Sequence, residues 1–487
     1  MARETLQKRR CAEVRSEAFV LLVLLNFLTL RASDSAARHT CQKARRPGQK
    51  EITMRNAFAR TLGLTLCLTV GLGLVGAKAF AQAPPGGAGT LVWALTGGDE
   101  KAYQDAVTQY NQQHPASKIT LQLFSNEPYK QKLLVAMGAG NPPDVFFNWG
   151  GGILKSYIDA GNVMDLTAEI TKDPTWKSRF FPSVLAAGTF GGKIYGVPIN
   201  GMQPVVFYFN KKVFQDVGVQ PPKTWSEMLA AIPKFKAKGK ALLSVAGADR
   251  WTYLMYAEYL VDRLGGPQVF ADIVAGKPDA WSNPAVLKAS EMIQELVKQG
   301  AFEKGYPGVS YGSGQATALL YAGRAGMQLM GTWDFPNLLN GQPDFVAKGN
   351  LGWSAFPTVE GGKGSPADVV GNTSNLYSVT SKSTHKQVAL DFLKTAVLSE
   401  KNIDVLLQNG SVPPVTGLEA KIAKAPQSEW LSFVYNSAKN APSFQLSWDQ
   451  ALPPAEADAL LTNLDQLFLM KLTPKQFSDN MNKAMKR

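Results

Sequence analysis

The most constraining feature of this sequence is an alternation of strand-like and helix-like segments that starts near residue 90. Residues 91–95 form a short apolar run, which is typical of a strand buried on both faces. Residues 103–110 carry apolar side chains at helical spacing, and residues 119–123 alternate apolar and polar side chains as a half-buried strand does. A second helical segment at 133–137 and an apolar run at 144–147 follow. This β-α-β-α-β order predicts an α/β fold with an open sheet.

Helix starts further along the chain are marked by capping residues. Thr224, Thr384 and Thr473 each stand three residues before a Glu or Gln, which is the spacing of a capping box. The Asn283–Pro284 pair predicts a helix that ends near Gly300. The number of residues patterned in this way, roughly 400, exceeds the size of one usual hydrophobic core, so we expect two lobes.

The formal net charge of the chain, +13, is concentrated in its first 81 residues. That segment holds 14 basic and five acidic residues and therefore carries +9. The other 406 residues hold 37 basic and 33 acidic residues, which is a net charge of +4. The folded part of the chain is therefore not expected to bind nucleic acid through a strongly basic surface.

Residues 54–81 have the layout of a secretory signal peptide. A short basic stretch ends at Arg60, an apolar run covers 62–76, and a small-x-small pattern follows. The apolar run is shorter than the roughly 18–20 residues that a membrane-spanning helix requires. We expect cleavage after Ala81 and a flexible lead-in at 82–89.

Two further features bear on export. Cys67 is preceded by the bulky Leu66 and lies inside the apolar run, so no lipobox is seen, and a free periplasmic protein is favoured over a lipid-anchored one. Residues 1–53 have two interpretations. They are either an extended targeting region or a doubtful N-terminal extension upstream of a true start at Met54.

Cysteine and histidine are scarce in the expected mature chain. All three cysteines precede residue 82, so no disulfide, thiolate metal site or cysteine nucleophile is expected after cleavage. Only His114 and His385 remain, so the chain has few histidines from which to build a zinc site or a histidine-dependent catalytic triad. We therefore expect no bound metal and no cofactor.

Several strings in a fixed order carry a family resemblance. They lie at 132–147, 148–152 (NWGGG), 160–166, 193–198, 205–214, 222–227, 325–333, 372–379 and 386–398. Together they resemble the carbohydrate-binding members of the family 1 extracellular solute-binding proteins, the substrate receptors of ABC-type sugar importers. The resemblance covers about 91–483, which is nearly all of the expected mature chain.

The resemblance implies a two-lobed fold of the periplasmic-binding-protein type, in which a hinge joins the lobes and ligand binds in the cleft between them. By this resemblance the first lobe takes 90–199 plus 332–381, and the second takes 203–331 plus 382–487. It also implies a carbohydrate ligand, membrane permease subunits of an ABC importer as partners, a monomeric receptor and no enzymatic activity.

The chemistry of sugar binding indicates which residues to consider. A pyranose ring stacks its apolar C–H faces on aromatic rings, and its hydroxyls need side-chain acceptors and donors. Trp149, beside Asn148 and three glycines, follows a predicted buried strand, where ligands of open α/β sheets bind. Trp333 and Asp334 follow another such strand. We interpret Trp149 as an exposed stacking platform, although an ordinary, partly buried Trp is the alternative.

Other candidates have weaker signals. Asp99, Glu100 and Lys101 occupy the loop after the first strand, where Asp99 could instead cap the next helix. Gln203 lies at the first predicted crossover between lobes. The remaining candidates are Trp251, Asn372 and Trp448, for which a role in the core or in a loop is left open. By contrast, Trp93, Trp225 and Trp353 are predicted to serve packing.

Two alternative functions remain at this stage. The same fold could bind a polyamine, which a carboxylate-dominated site without aromatic platforms would favour, or a phosphorylated polyol, which a cluster of Arg and Lys would favour. An exported glycosidase would use two carboxylates. Asp99, Glu127 and Asp334 are nominal candidates for that role, but nothing in the sequence pairs them.

Overall fold

The computed structural model describes residues 89–485. The predicted signal peptide at 54–81, the extension at 1–53 and nearly all of the lead-in at 82–89 lie outside the described residues. The strands are β1 (Thr90–Leu95), β2 (Ile119–Phe124), β3 (Val145–Asn148), β4 (Thr189–Phe190), β5 (Lys193–Ile194), β6 (Val197–Asn200), β7 (Gln203–Asn210), β8 (Ala241–Ser244), β9 (Ala325–Gly331), β10 (Leu351–Ser354), β11 (Val369–Asn372), β12 (Asn375–Val379) and β13 (Phe444–Leu446).

Helices connect these strands and flank the sheets. The α-helices are α1 (Glu100–Gln113), α2 (Asn126–Gly138), α3 (Gly151–Asp159), α4 (Thr167–Thr171), α5 (Pro174–Ser178), α6 (Pro182–Ala186), α7 (Lys211–Val217), α8 (Trp225–Ala237), α9 (Trp251–Gly265), α10 (Gln268–Val274), α11 (Pro284–Gln299), α12 (Gln315–Tyr321), α13 (Asp334–Gly341), α14 (Pro343–Ala347), α15 (Lys386–Thr395), α16 (Glu400–Gln408), α17 (Glu419–Ile422), α18 (Ser428–Lys439), α19 (Trp448–Ala451), α20 (Pro454–Phe468) and α21 (Pro474–Ala484). Short 3-10 helices occur at Ala280–Ser282 and Tyr306–Gly308. Among residues 89–485, no helix is both long enough and apolar enough to cross a membrane.

The first sheet has five strands in the order β2-β1-β3-β12-β6. β1 runs parallel to β2 and to β3, and helices α1 and α2 connect these three strands along the chain. β12 is antiparallel to both β3 and β6. The predicted β-α-β-α-β order and the α/β class are therefore confirmed. The carboxyl ends of β1, β3 and β6 meet at one edge of this sheet, together with the amino end of β12.

The second sheet contains strands in the order β13-β11-β7-β9-β8, and β10 also pairs with β7. β7 is antiparallel to β9, β10 and β11. Gln203, the first residue of β7, pairs with Asn372 at the end of β11, and Val205 pairs with Gly331 at the end of β9. The start of β7 and the ends of β9 and β11 therefore meet at one edge of the second sheet.

The chain crosses between the two sheets at 200–203 and at 372–375, because β6 and β12 belong to the first sheet and β7 and β11 to the second. The predicted first lobe, which included 332–381, needs a correction at this point. β10 and β11 lie within that range, yet both hydrogen-bond to β7. β7 is eight residues long, so β10 pairs with its second half while β11 pairs with its start.

The three tryptophans that were predicted to serve packing do so. The ring of Trp93 meets Phe124 edge to face, with centroids 5.1 Å apart. Trp225 is buried beside Phe356. Trp353 forms part of a separate aromatic cluster with Phe335 and Trp430. Trp93 and Trp225 are buried, and Trp353 is partly buried and packs against the core.

Three of the four predicted helix starts are confirmed. Thr224 and Thr473 each form a capping box, in which the Thr hydroxyl accepts a backbone N–H and the Glu or Gln three residues later accepts in return. Asn283 caps α11, and Gly300 ends that helix in the left-handed conformation with φ of 70°. Glycine adopts this conformation without steric cost, so it stops the helix where the sequence predicts.

The third predicted capping box, at Thr384, is wrong. Helix α15 begins at Lys386 and has no side-chain cap. The adjacent Ser383 organises this turn, since its hydroxyl donates to Asp144 Oδ1 at 2.6 Å and accepts the backbone N–H of His385 at 3.0 Å. A contact with a residue far away in sequence therefore replaces the local cap.

Candidate ligand-binding site

A cavity of about 150 Å³ lies where the edges of the two sheets face each other. From the first sheet, the loops after β1 and β3 and the end of β6 contribute to its wall. From the second sheet, the start of β7, the loop after β9 and the end of β11 contribute. The site is therefore built from loops at strand ends, the position at which open α/β sheets bind ligands.

Six of the eleven residues predicted for a ligand site line this cavity. They are Asp99, Trp149, Gln203, Trp251, Trp333 and Asn372. The structure thus brings together residues that are separated by more than 270 positions in the sequence. The other five predicted residues lie outside the cavity wall.

Aromatic rings line the cavity on both sides. Its aromatic residues are Tyr103, Phe147, Trp149, Trp251, Tyr311 and Trp333. On the second-sheet side, the rings of Trp251 and Trp333 are 6.1 Å apart between centroids, and Tyr311 meets Trp251 edge to face at 5.1 Å. Flat apolar faces of this kind suit the C–H faces of a sugar ring.

Trp149 lines the cavity but is less exposed than predicted. Only 9% of the residue is accessible, because its ring packs edge to face against Phe147 at 5.0 Å and against Tyr129 at 6.1 Å. The ammonium group of Lys130 lies 5.4 Å from the centroid of the same ring. Trp149 is therefore a fixed part of the wall rather than a free platform.

Asp99 is buried at the cavity and does not cap helix α1 through its side chain. Its carboxylate accepts hydrogen bonds from Asn200 Nδ2 at 2.7 Å and from Ser411 Oγ at 2.6 Å. Burial raises the pKa of Asp99, and these hydrogen bonds oppose that rise. Asp99 therefore ties the loop after β1 to the crossover at Asn200.

Amide side chains are the most frequent polar groups in the cavity wall. The amides are Asn126, Asn200, Gln203, Asn337, Asn372, Asn375 and Gln450. Gln203 Oε1 accepts from Asn375 Nδ2 at 3.1 Å and from Asn372 Nδ2 at 3.5 Å, which links the two crossover segments. The amide oxygens of Asn200 and Asn375 have no hydrogen-bond partner among the described residues. Buried acceptors of this kind normally receive a hydrogen bond, so a ligand hydroxyl would be a suitable donor to them.

Glu100 and Lys101 belong to the surface of helix α1 and not to the cavity. Lys101 Nζ pairs with Asp105 at 2.6 Å, and Glu100 accepts from Gln104 Nε2 at 2.8 Å. Both contacts join residues one helical turn apart. The loop prediction fails for these two residues because α1 already begins at Glu100.

Asn148 and Trp448 are buried away from the cavity. Asn148 Nδ2 donates to Ser378 Oγ at 2.9 Å, and its Oδ1 accepts the backbone N–H of Gly150 at 3.0 Å, so the side chain shapes the loop that carries Trp149. Trp448 is 1% exposed because its ring stacks on Phe270 with centroids 4.4 Å apart. Its neighbours in α19 line the cavity instead.

Asp334 lies behind the cavity wall rather than in it. Its carboxylate is 1% exposed and accepts from Tyr311 OH at 3.2 Å, Thr317 Oγ1 at 3.0 Å and Asn337 Nδ2 at 3.2 Å. Burial raises the pKa of Asp334, and these three donors lower it. Since Tyr311 and Asn337 line the cavity, Asp334 acts by positioning them.

Sequence reasoning missed most of the residues that complete the wall. The polar and aromatic ones are Thr96, Tyr103, Asn126, Lys130, Phe147, Asn200, Tyr311, Asn337, Asn375, Ser447, Asp449 and Gln450. Asp449 directly follows the candidate Trp448, and Asn375 lies three residues after the candidate Asn372, so proximity could have suggested them. Tyr311, in a glycine-rich loop, carries no local signal that separates it from other surface tyrosines.

Lys130 is the only cationic side chain among the described residues that line the cavity. Its Nζ lies 3.0 Å from Glu127 Oε1, so part of its charge is already balanced. Burial raises the pKa of Asp449, while the nearby Lys130 lowers it. Within residues 89–485, no group of three or more His, Cys, Asp or Glu side chains is arranged to hold a metal ion.

Comparisons with known proteins agree with this geometry. Residues 94–403, more than half of the chain, match the family described as bacterial extracellular solute-binding protein. An uncharacterised ABC transporter extracellular-binding protein of Pyrococcus horikoshii is 25% identical over 408 residues, which cover 81% of this chain and 86% of that relative. A diacetylchitobiose binding protein of Streptomyces coelicolor is 25% identical over 336 residues, covering 68% of this chain and 74% of that relative.

A solved structure gives the same result for the fold. The structure of a chitin oligosaccharide binding protein has a TM-score of 0.71 and 25% sequence identity, and the match covers 82% of this chain and 98% of that one. The chain belongs to the bacterial extracellular solute-binding proteins and has their two-lobed α/β fold.

Proposed function

We propose that this protein is the exported receptor of an ABC importer and that it captures a neutral sugar or oligosaccharide between its lobes. The observation that carries the proposal is the composition of the cavity, which has aromatic rings on both sides and seven amide side chains. Aromatic rings stack on the faces of a sugar, and amides both donate to and accept from its hydroxyls. The relatives named for diacetylchitobiose and chitin oligosaccharide binding support the same class of ligand.

The two other solute classes fit the cavity less well. A phosphorylated polyol calls for several Arg or Lys side chains, but among the described residues in the wall Lys130 is the only cation, and it is paired with Glu127. A polyamine calls for a site dominated by carboxylates. Two carboxylates line the cavity, those of Asp99 and Asp449, and amides and aromatic rings outnumber them.

The hydrolase alternative is not favoured either. The carboxylates of Asp99 and Asp334 are both buried and accept hydrogen bonds from protein side chains. Glu127 is paired with Lys130 on the surface of α2. We therefore propose that the chain binds its solute without changing it, as the family description implies.

Export and partners follow from the same proposal. The family is one of extracellular binding proteins, and one relative is named as part of an ABC transporter. We infer that residues 54–81 direct export to the periplasm, where the receptor acts as a monomer and delivers its ligand to the membrane permease subunits.

The test is a titration of the protein recovered from the periplasm. Neutral monosaccharides and oligosaccharides, spermidine and glycerol phosphate are added in turn, and binding is followed by calorimetry and tryptophan fluorescence. We expect at least one neutral saccharide to bind with a change in fluorescence, because three tryptophans line the cavity. Tight binding of spermidine or glycerol phosphate, with no saccharide bound, would contradict the proposal.

A further inference from the structure

Three amide side chains in the wall of the ligand cavity are buried with their nitrogen bonded and their oxygen unpartnered. They belong to Asn200, Asn375 and Gln450. The NH2 group of each donates to another side chain of the wall, but the carbonyl oxygen of each has no hydrogen-bond partner among the described residues. Among the buried side-chain atoms of the described wall, the only donor that lacks a partner is Trp251 Nε1. The unpartnered buried groups are therefore mainly acceptors.

A carboxylate fixes the orientation of two of these amides. Asn200 Nδ2 donates to Asp99 Oδ2 at 2.7 Å, and Gln450 Nε2 donates to Asp449 Oδ2 at 3.1 Å. An ionised carboxylate accepts hydrogen bonds and donates none. An amide beside it therefore turns its nitrogen towards the carboxylate and keeps its oxygen for another partner.

Asp99 is held in place independently of Asn200. Ser411 Oγ donates to the other carboxylate oxygen of Asp99, Oδ1, at 2.6 Å. Tyr103 OH lies 2.9 Å from Asn200 Nδ2 and is a second acceptor for that nitrogen. Because both oxygens of Asp99 already accept protein donors, Asp99 orients Asn200 and does not need the ligand to complete its own hydrogen bonds.

This arrangement decides which ligand groups the wall can bind. A sugar hydroxyl both donates and accepts, so an amide that turns freely can meet it in either orientation. An amide that has only its oxygen left over binds only a group that donates. A fluorine in place of the hydroxyl cannot donate and leaves the buried oxygen unpaired, which lowers affinity by about tenfold or more.

We propose that the cavity recognises its saccharide chiefly through hydrogen bonds that the ligand donates, and that Asp99 is a positioning residue that sets this selectivity by fixing the amide of Asn200. Asp449 has the same role towards Gln450. The proposal rests on the proposed function and makes it more specific, because it states which hydrogen-bonding groups the ligand must carry.

The first experiment uses the native protein and measures affinity by calorimetry. The probes are xylose, glucose, galactose, N-acetylglucosamine and their disaccharides, and then analogues of those that bind, in which one hydroxyl at a time is replaced by hydrogen or by fluorine. We expect at least one position at which fluorine lowers affinity about tenfold or more and at which the fluoro analogue binds no more tightly than the deoxy analogue.

The second experiment repeats these titrations with Asp99→Asn. The new amide can donate to Asn200 Oδ1, so that Asn200 turns its NH2 group to the ligand, where fluorine can accept from it. We expect the loss caused by fluorine at one position to shrink to about threefold or less. A merely structural effect would weaken the parent and its analogues alike and leave their ratio unchanged. Asp391→Asn is the matched control, since Asp391 accepts from Tyr110 OH at 2.9 Å and does not line the cavity.

Asp449→Asn is the second variant, and it keeps the test decisive if Asp99→Asn does not fold. It should relieve the loss at a different hydroxyl, because it frees Gln450 instead of Asn200. If fluoro analogues bind the native protein as tightly as the parent at every position, or if both acidic positions can be changed with the native ratios retained, the role of Asp99 and Asp449 is overturned and the sugar receptor stands. If no parent saccharide binds, this proposal and the proposed function both fall.

Discussion

At the scale of single residues, Glu258 connects the interior of the second lobe to the ligand cavity. It is fully buried in α9, and its Oε1 accepts from Trp448 N at 2.7 Å and from Ser447 Oγ at 2.9 Å. Its other oxygen, Oε2, has no partner among the described residues. Since Ser447, Asp449 and Gln450 line the cavity, Glu258 holds the turn that presents them.

The pH dependence of stability should reflect the protonation of Glu258 in the folded state. Burial raises the pKa of Glu258 from 4.5 to about 8, so between these pH values the folded state holds a proton that the unfolded state has released. The free energy of unfolding should therefore fall as pH rises from about 5 to 8. Glu258→Gln keeps the shape and an acceptor but cannot ionise.

Thermal unfolding of both proteins between pH 5 and 8 is the measurement. We expect the melting temperature of the native protein to decline more steeply with pH than that of Glu258→Gln. Equal slopes would show that Glu258 does not stay protonated in the folded protein.

The aromatic wall predicts the effect of removing one ring. Trp333→Ala should weaken binding of the saccharide by about tenfold, because an aromatic stacking contact contributes about 0.5–1.5 kcal/mol beyond its buried area. Trp353→Phe is the control, since Trp353 packs against Trp430 and Phe335 and does not line the cavity. Calorimetric affinities that are equal in the two variants would argue against a stacking role for Trp333.

Some residues of the site could be predicted from the sequence, and others could not. Trp149 and Trp333 line the cavity because each follows a buried strand, and strand ends meet there. Trp448 was predicted but does not line the cavity, whereas its neighbour Asp449 does. Helix α19 is only four residues long and offers no periodicity that would distinguish the two. The position of Tyr311 in the cavity wall depends on its hydrogen bond to Asp334, which lies 23 residues further along the chain.

At the scale of elements, the start of α3 brings the two lobes into backbone contact. A Cβ added at Gly152 would lie 2.3 Å from the carbonyl oxygen of Leu452, and one at Gly151 would lie 2.3 Å from that of Gln450. Leu452 and Gln450 follow β13 of the second sheet, whereas α3 follows β3 of the first. The glycine run therefore permits a close approach of the lobes, which is a packing role and not phosphate binding.

Gly152→Ala should interfere with this approach. Gly152 has no positive φ, so alanine is tolerated within α3 itself and the clash is with the other lobe alone. We expect about tenfold or greater loss of ligand affinity and a larger radius of gyration in the presence of ligand. Gly138→Ala, at the end of α2, is the control because its Cβ would meet nothing within 4 Å.

Calorimetry and small-angle X-ray scattering of both variants provide the measurement. Native affinity and compactness in Gly152→Ala would mean that the contact at α3 plays no part in lobe closure.

The order of elements was more predictable than their grouping into lobes. Local periodicity specified β1 to β3 and the helices between them, and capping residues marked the starts of α8, α11 and α21. The assignment of β10 and β11 was wrong because it depends on pairing with β7, more than 140 residues earlier in the chain. Pairing over such distances leaves no local pattern in the sequence.

At the scale of the whole molecule, the crossover segments form one hydrogen-bonded unit. Ser374 Oγ donates to Asn200 O at 2.8 Å, which joins the crossover at 372–375 to the one at 200–203. Asn375 and Gln203 join the same segments through their side chains. Because these segments also line the cavity, we expect ligand binding to be coupled to the relative position of the lobes.

Ligand should therefore stabilise the whole molecule. A ligand at 100 times its dissociation constant adds about 2.7 kcal/mol to the free energy of unfolding when it binds the folded state alone. We expect the saccharide to raise the melting temperature in a single cooperative transition. A saccharide that binds by calorimetry but melts one lobe separately at its ligand-free temperature would contradict a site shared by both lobes.

A crystal structure of the protein with the saccharide that it binds would show directly whether a neutral saccharide lies between the two sheets, against aromatic rings from both lobes. We expect electron density for a sugar ring in the cavity, in contact with Trp149 on one side and with Trp333 or Trp251 on the other, and hydroxyls bonded to Asn200 or Asn375. Density for the saccharide outside this cleft, or for a charged solute within it, would mean that the protein is not the sugar receptor proposed here.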